Sequence, residues 1–218
     1  MTELAPLAPF ALVVGAALLV LLVADRRQSQ TGVWIAKPLA SLGFVAAALS
    51  FGALSQGAYG VALLVALVLS LAGDVLLIPK GAKGPFLAGL TAFLLGHVAF
   101  AVAFVLRGVE LRTALFALAP LAVVAALVSR WLYPKLRPSM RAPVLAYIVV
   151  ISAMLSLATG AVARGAPGIL GTGALAFYLS DLAVARQRFV TPSFTNRLVG
   201  LPLYYGAQLL LAATLLFP

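Results

Sequence analysis

Asp74 and Asp181 lie inside apolar runs, SLAGDVLLI and FYLSDLAVA, where a carboxylate is costly. Placing an ionisable side chain in such a run costs at least about 2.5–3.5 kcal/mol on insertion scales, so each is a functional candidate. Either alone could be a helix-end carboxylate that reaches water or pairs with a loop lysine. The pair is harder to explain that way, because both sit at equivalent depth on the same side. Two buried carboxylates admit three chemistries: acid–base hydrolysis, with one group protonated and the other ionised; peptide hydrolysis by an intramembrane aspartyl protease; and proton-coupled transport. The LAGD stretch lacks the first glycine of a Gly-x-Gly-Asp protease signature, which counts against the second. A transporter remains the alternative to a hydrolase.

Other polar residues are expected at the same level. Lys37 opens the second apolar span, and Asn196 and Arg197 precede the last. Tyr147 lies one turn into the sixth span, and Tyr178 and Ser180 lead into Asp181. Tyr204, Tyr205 and Gln208 occupy the corresponding half of the eighth, with Tyr204 and Gln208 on one helical face. His97, the only histidine, lies deeper, and its simplest role is an interhelical hydrogen bond. Taken singly, Tyr147 reads as an interface anchor and Lys37 as a snorkelling charge. Together these residues describe a polar, substrate-binding pocket around two catalytic aspartates, open to one leaflet.

The elements that must position them are transmembrane helices. The chain is 64% hydrophobic and 9% charged over 218 residues, and the apolar residues come in long runs. Spans are expected near 6–24, 37–54, 58–78, 85–106, 113–131, 143–162, 167–185 and 199–217. The fold class is an all-α, polytopic bundle of eight transmembrane helices, forming a single domain over residues 1–218. The first run is too long for a signal-peptide core and reads as a retained helix. The absence of cysteine excludes disulfides and thiolate chemistry. The +10 net charge flanks the spans, as helix orientation and anionic lipid require, so membrane lipids rather than nucleic acid are the expected partners.

Twelve of the 15 basic residues fall in the odd-numbered connections, leaving Arg107, Arg112 and Arg164 for the even ones. The positive-inside rule then places both termini outside and the aspartates toward the cytoplasmic leaflet, in what is expected to be a bacterial inner membrane. Asp181 follows Asp74 by 107 residues, and the same offset carries His97 to Tyr204. An offset of 106 lays Pro38–Leu49 over Val144–Leu155. A parallel 4+4 pseudo-repeat would account for this, although apolar helices match one another easily.

Five segments carry a family resemblance: LAGDVLL, FLAGLTAFLLGHVAFAVAF, PVLAYIVVISAM, GALAFYLSDLAVARQRF and LPLYYGAQLLL. In this order and spacing they resemble the YhhN-like lysoplasmalogenase family of membrane enzymes from residue 37 onward. Two departures stand out. The loop after Asp74 lacks the family's frequent small aromatic–acidic elements, and Ala99–Phe100 follow His97 where a tyrosine is common. The resemblance implies eight helices and hydrolysis of the sn-1 vinyl ether of a lysoplasmalogen, with Asp74 and Asp181 as the catalytic pair. Hydrolysis by acid requires no metal and no redox cofactor. The chemistry suits the residues. A proton goes to the carbon β to the ether oxygen, an oxocarbenium ion forms, and water adds. A protonated and an ionised carboxyl supply the donor, the counter-charge and the base.

Overall fold

The structure is a computed structural model and describes residues 2–79 and 81–217. Lys80, one of the lysines that orient the chain, lies outside the described residues, as do Met1 and Pro218. The described residues form eight long helices: α1 (Ala8–Arg26), α2 (Gln30–Ser50), α3 (Gly57–Leu76), α4 (Lys83–Arg107), α5 (Leu111–Leu132), α6 (Pro138–Ala163), α7 (Gly168–Ala185) and α8 (Phe194–Ala213). They contain 18 to 26 residues. At 1.5 Å per residue that is about 27–39 Å, enough for a hydrocarbon core of about 30 Å. All eight are apolar and long enough to span a membrane.

Three helices begin earlier than their apolar runs. α2, α6 and α8 start at Gln30, Pro138 and Phe194, where hydropathy placed the spans from 37, 143 and 199. Capping explains the extensions at α2 and α8. The Ser29 hydroxyl accepts from the Gly32 amide at 3.2 Å, and Gln28 turns the chain in a left-handed conformation at φ 55°. The Ser193 hydroxyl accepts from the Thr195 amide at 3.2 Å. Hydropathy senses lipid, whereas a helix continues as far as its amides find partners. Lys37 therefore lies two turns inside α2, and Asn196 and Arg197 belong to the first turn of α8. At α5 the Glu110 carboxylate accepts from the Arg112 and Thr113 amides at 3.1 and 2.6 Å, and its hydrogen bonds with Thr113 hold its pKa below the usual carboxylate value.

Sequential helices pair as α1/α2, α3/α4, α5/α6 and α7/α8, and α8 also packs on α1, α2 and α3. Large apolar side chains such as Leu12, Leu19, Phe116 and Leu127 face outward, as a lipid-solvated bundle requires. α5 is almost entirely peripheral and packs chiefly on α6.

Small residues set the closest approaches. A Cβ on Gly73 would lie 2.6 Å from the Phe93 ring, and one on Gly89 would lie 2.8 Å from Leu77. Gly206, in contrast, faces open space. Gly73→Ala must displace a ring that is packed in the bundle core. It is expected to destabilise the protein by about 1–3 kcal/mol, read as a lowered midpoint of thermal unfolding in detergent. Gly206→Ala should leave that midpoint unchanged.

Candidate active site

Asp74 is two residues from the end of α3, and its carboxylate is 3% exposed. Each hydrogen-bonding partner of this carboxylate is a donor. The Lys37 ammonium lies 3.0 Å from Oδ1 and also donates to the Asp74 carbonyl at 2.9 Å. The Ser41 and Tyr204 hydroxyls each donate to Oδ2 at 2.7 Å. Lys37 and Ser41 are one turn apart on α2, so one helical face supplies both.

Asp181 is four residues from the end of α7, on the same side of the bundle, because α3 and α7 run in the same direction. Its side chain is 14% exposed. Tyr147 of α6 donates to Oδ2 at 3.1 Å, and His97 Nε2 of α4 lies 3.2 Å from the same oxygen. That nitrogen is within ion-pair reach but off the line of a hydrogen bond. His97 Nδ1 lies 2.7 Å from the Phe93 carbonyl.

A layer of rings joins the two carboxylates. Tyr204 touches Phe177 at 5.5 Å between centroids, and Phe177 touches His97 at 4.3 Å. Phe93 closes on Tyr204 from α4 at 5.8 Å. The connection therefore runs Asp74, Tyr204, Phe177, His97, Asp181, with α8, α7 and α4 contributing the middle in that order. Gln208 lies one turn beyond Tyr204. It is wholly buried, and neither amide atom has a hydrogen-bond partner among the described residues. A buried amide without partners costs about 1–3 kcal/mol.

Three positions of the two environments correspond by sequence offset. An offset of 106 carries Ser41 to Tyr147, and an offset of 107 carries Asp74 to Asp181 and His97 to Tyr204. Ser41 and Tyr204 hold Asp74, while Tyr147 and His97 hold Asp181. Each aspartate thus has a partner from its own four-helix half and one from the other half. Lys37 breaks the match, because its counterpart is Pro143.

Of the residues grouped by sequence, Lys37, His97, Tyr147 and Tyr204 converge on the aspartates. Tyr205 is buried beside them, its hydroxyl 3.4 Å from the Lys37 carbonyl. Ser180 turns its hydroxyl back to the Phe177 carbonyl at 2.7 Å. Tyr178 is buried but makes no hydrogen bond to either aspartate among the described residues. Asn196 donates to Gln187 Oε1 at 3.1 Å and to the Thr191 carbonyl at 2.8 Å, fastening the α7–α8 turn. Arg197 pairs with Asp25. Ser41 was not identified from sequence. Its spacing of four from Lys37 and its place opposite Tyr147 in the internal match were the available signals.

Two cavities lie away from the carboxylates. One of about 580 Å³ lies at the far end of the bundle, among Gln56, Tyr59, Arg107 and Arg164. A groove of about 350 Å³ lies at the aspartate end between α5, α7 and α8, lined by Trp131, Leu182, Ala183, Arg186 and Asn196.

The family model of the YhhN family matches residues 32–215. Lysoplasmalogenase TMEM86A of Bos taurus is 35% identical over 154 residues, covering 68% of this chain and 62% of its own length. The Homo sapiens protein of that name is 36% identical over 155 residues, with the same coverage. A lysoplasmalogenase of Mycobacterium tuberculosis is 32% identical over 162 residues, covering 71% of this chain and 60% of its own length. The match thus spans about three-fifths of these relatives. No solved structure matches the chain. The family match runs from the start of α2 to the end of α8 and includes both aspartates and the side chains that hold them: the chain belongs to the YhhN family.

Proposed function

We propose that this chain is a lysoplasmalogenase, a membrane hydrolase that cleaves the sn-1 vinyl ether of lysoplasmalogens to a fatty aldehyde and glycerophosphoethanolamine or glycerophosphocholine. The observation that carries the reading is the pair of carboxylates at one end of the bundle, each in a different setting. One is ion-paired with Lys37, and the other lies against a histidine and a tyrosine. The names of the relatives, lysoplasmalogenases in mammals and in a bacterium, point the same way.

Vinyl ether hydrolysis creates positive charge from a neutral lipid. The β carbon takes a proton, and the ether oxygen shares a lone pair with the adjacent carbon to form an oxocarbenium ion. A carboxylate and the faces of aromatic rings both stabilise such a cation in a site of low dielectric. Water then adds to the cationic carbon and loses a proton, and the hemiacetal collapses to aldehyde and alcohol. Gln208 has an unused donor and an unused acceptor in this region, which suits a water or the ether oxygen. The alkenyl chain enters from the lipid side, and the site faces the cytoplasmic leaflet with both termini outside. The two halves of the site derive from a parallel four-helix repeat.

The groove between α5, α7 and α8 is the route for the headgroup. Lys37, Asn196 and Arg197 are committed to Asp74, the α7–α8 turn and Asp25, so Arg186 is the guanidinium placed to meet the phosphate there. Arg186→Gln should raise KM several-fold and change kcat little, since a bond made equally in ground and transition states affects binding alone. Initial-rate measurements over a range of lysoplasmalogen concentrations check this. The reading as a whole is tested with the purified protein in detergent and a defined lysoplasmalogen. An enzyme releases fatty aldehyde there, whereas a proton-coupled transporter, which needs two compartments, leaves the lipid intact.

A further inference from the structure

The hydrogen positions at His97 follow from its neighbours. The Phe93 carbonyl only accepts, so the nitrogen 2.7 Å from it, Nδ1, carries a hydrogen. Nε2 then faces Asp181 Oδ2 at 3.2 Å in one of four states. A bare Nε2 against a carboxylate sets lone pair against lone pair. An imidazolium against a carboxylic acid leaves an unpaired positive charge on a side chain that is 1% exposed. The two remaining states are a neutral imidazole with a carboxylic acid and an imidazolium with a carboxylate. Each carries one proton, on Nε2 or on the carboxyl 3.2 Å away, and both are neutral overall.

Asp74 has no such freedom. Lys37 supplies a full positive charge, and Ser41 and Tyr204 add two hydroxyl donors. A carboxylate is the form that accepts from all three. The ion pair is again neutral overall, with its protons on the ammonium nitrogen and none on the carboxyl oxygens.

We infer that His97 and Asp181 form the single-proton acid of the site and that Asp74 is its fixed anion. The inference rests on the proposed hydrolysis for its chemistry and, for its assignment, on the Nδ1 hydrogen bond to Phe93 and the 3.2 Å approach of Nε2 to Asp181. Asp181, the more exposed carboxyl, delivers the proton to the β carbon. The alkene π pair becomes the new C–H bond, and the lone pair of the ether oxygen completes the C=O⁺ bond. The His97–Asp181 pair, now one proton short, carries a negative charge opposite the cation it has just made. Water adds its oxygen to the cationic carbon and returns one proton to the pair. The hemiacetal hydroxyl proton then passes to the glycerol oxygen as that C–O bond breaks, so the pair ends as it began. His97 acts through Asp181 and is a positioning residue. The titratable groups facing it are Asp181 from α7 and Tyr147 from α6, while Tyr204 of α8 stands beyond Phe177 and is turned toward Asp74.

Because His97 is the only histidine, the full chain labelled with ¹⁵N-histidine gives one Nδ1 and one Nε2 resonance in detergent micelles. Nδ1 should be of the protonated type from mildly acidic to alkaline pH. The Nε2 resonance should move in Asp181→Asn and stay in place in Asp74→Asn. An Nδ1 of the bare type in the wild-type protein overturns the inference, and that result needs no variant to fold. Equal Nε2 shifts in the two variants overturn it as well. In turnover, His97→Gln keeps a donor for the Phe93 carbonyl but removes the shared proton. It should lower kcat by about 10-fold or more and move the acid limb of the pH–kcat profile, with KM within about twofold. An unmoved limb contradicts the role of His97. Wild-type protein that releases no aldehyde yet shows the expected resonances would refute the hydrolase reading and leave the proton pair standing. The reverse pattern would refute the pair and leave the hydrolase.

Discussion

Asp181→Asn should lower turnover by at least about 100-fold, because it removes a general acid without altering the shape of the side chain. The amide can still accept from Tyr147, so the fold and lipid binding should survive. Asp74→Asn should also cost at least about 100-fold, through loss of the fixed anion of the site. The two losses should not multiply, because both groups act in one step. Steady-state aldehyde release from purified variants, normalised to folded protein, measures all three values. A product of the single effects in the double variant would mean that the carboxyls act in separate steps.

The second large effect is on stability. Lys37 and Asp74 form an ion pair inside the bundle, with side chains 14% and 3% exposed. Lys37→Met leaves a carboxylate with two hydroxyl donors and no counter-charge. Breaking such a pair costs about 3–5 kcal/mol. The midpoint of thermal unfolding in detergent should therefore fall steeply. Lys37→Met combined with Asp74→Asn should recover much of the loss, because no unpaired charge remains. A Lys37→Met protein as stable as the wild type would show that the ammonium reaches water or headgroups instead of Asp74. The double substitution also guards the kinetic test, since Asp74→Asn alone strands the lysine.

Eight helices were legible in the sequence because lipid allows few alternatives. Every backbone group must be satisfied within its own span, so spans appear as long apolar runs. The two aspartates were legible for the same reason, as charges inside those runs. What sequence supplies is depth; it is silent on azimuth. Lys37 read as a charge at a helix start because the polar turn before it concealed another two turns of helix. Its partner lies across an interface that only packing defines. Ser41 looked like any serine of a membrane helix until its hydroxyl was seen on Asp74. His97 was expected to hydrogen-bond between helices; its hydrogen bond instead stays within α4, at the Phe93 carbonyl, and only its Nε2 comes within ion-pair reach of Asp181 on α7. Asn196 was grouped with the substrate-binding residues, and the sequence did not show that it fastens the π-helical turn Arg186–Val190 to α8 through Gln187. The internal match was visible as an offset of residue numbers, and the crossed pairing of Ser41 and Tyr204 with Tyr147 and His97 was not.

The central claim is that a proton from an aspartyl side chain reaches a vinyl ether carbon. It is tested most directly by running the reaction in heavy water and weighing the aldehyde. Hydrolysis by this route places one solvent deuterium on the carbon next to the aldehyde, with a slower rate than in light water. The wild-type protein should give the singly deuterated aldehyde, and the chain carrying both Asp74→Asn and Asp181→Asn should give none above a protein-free control. Unlabelled aldehyde from the wild type, or labelled aldehyde at the wild-type rate from the doubly substituted chain, would contradict the account.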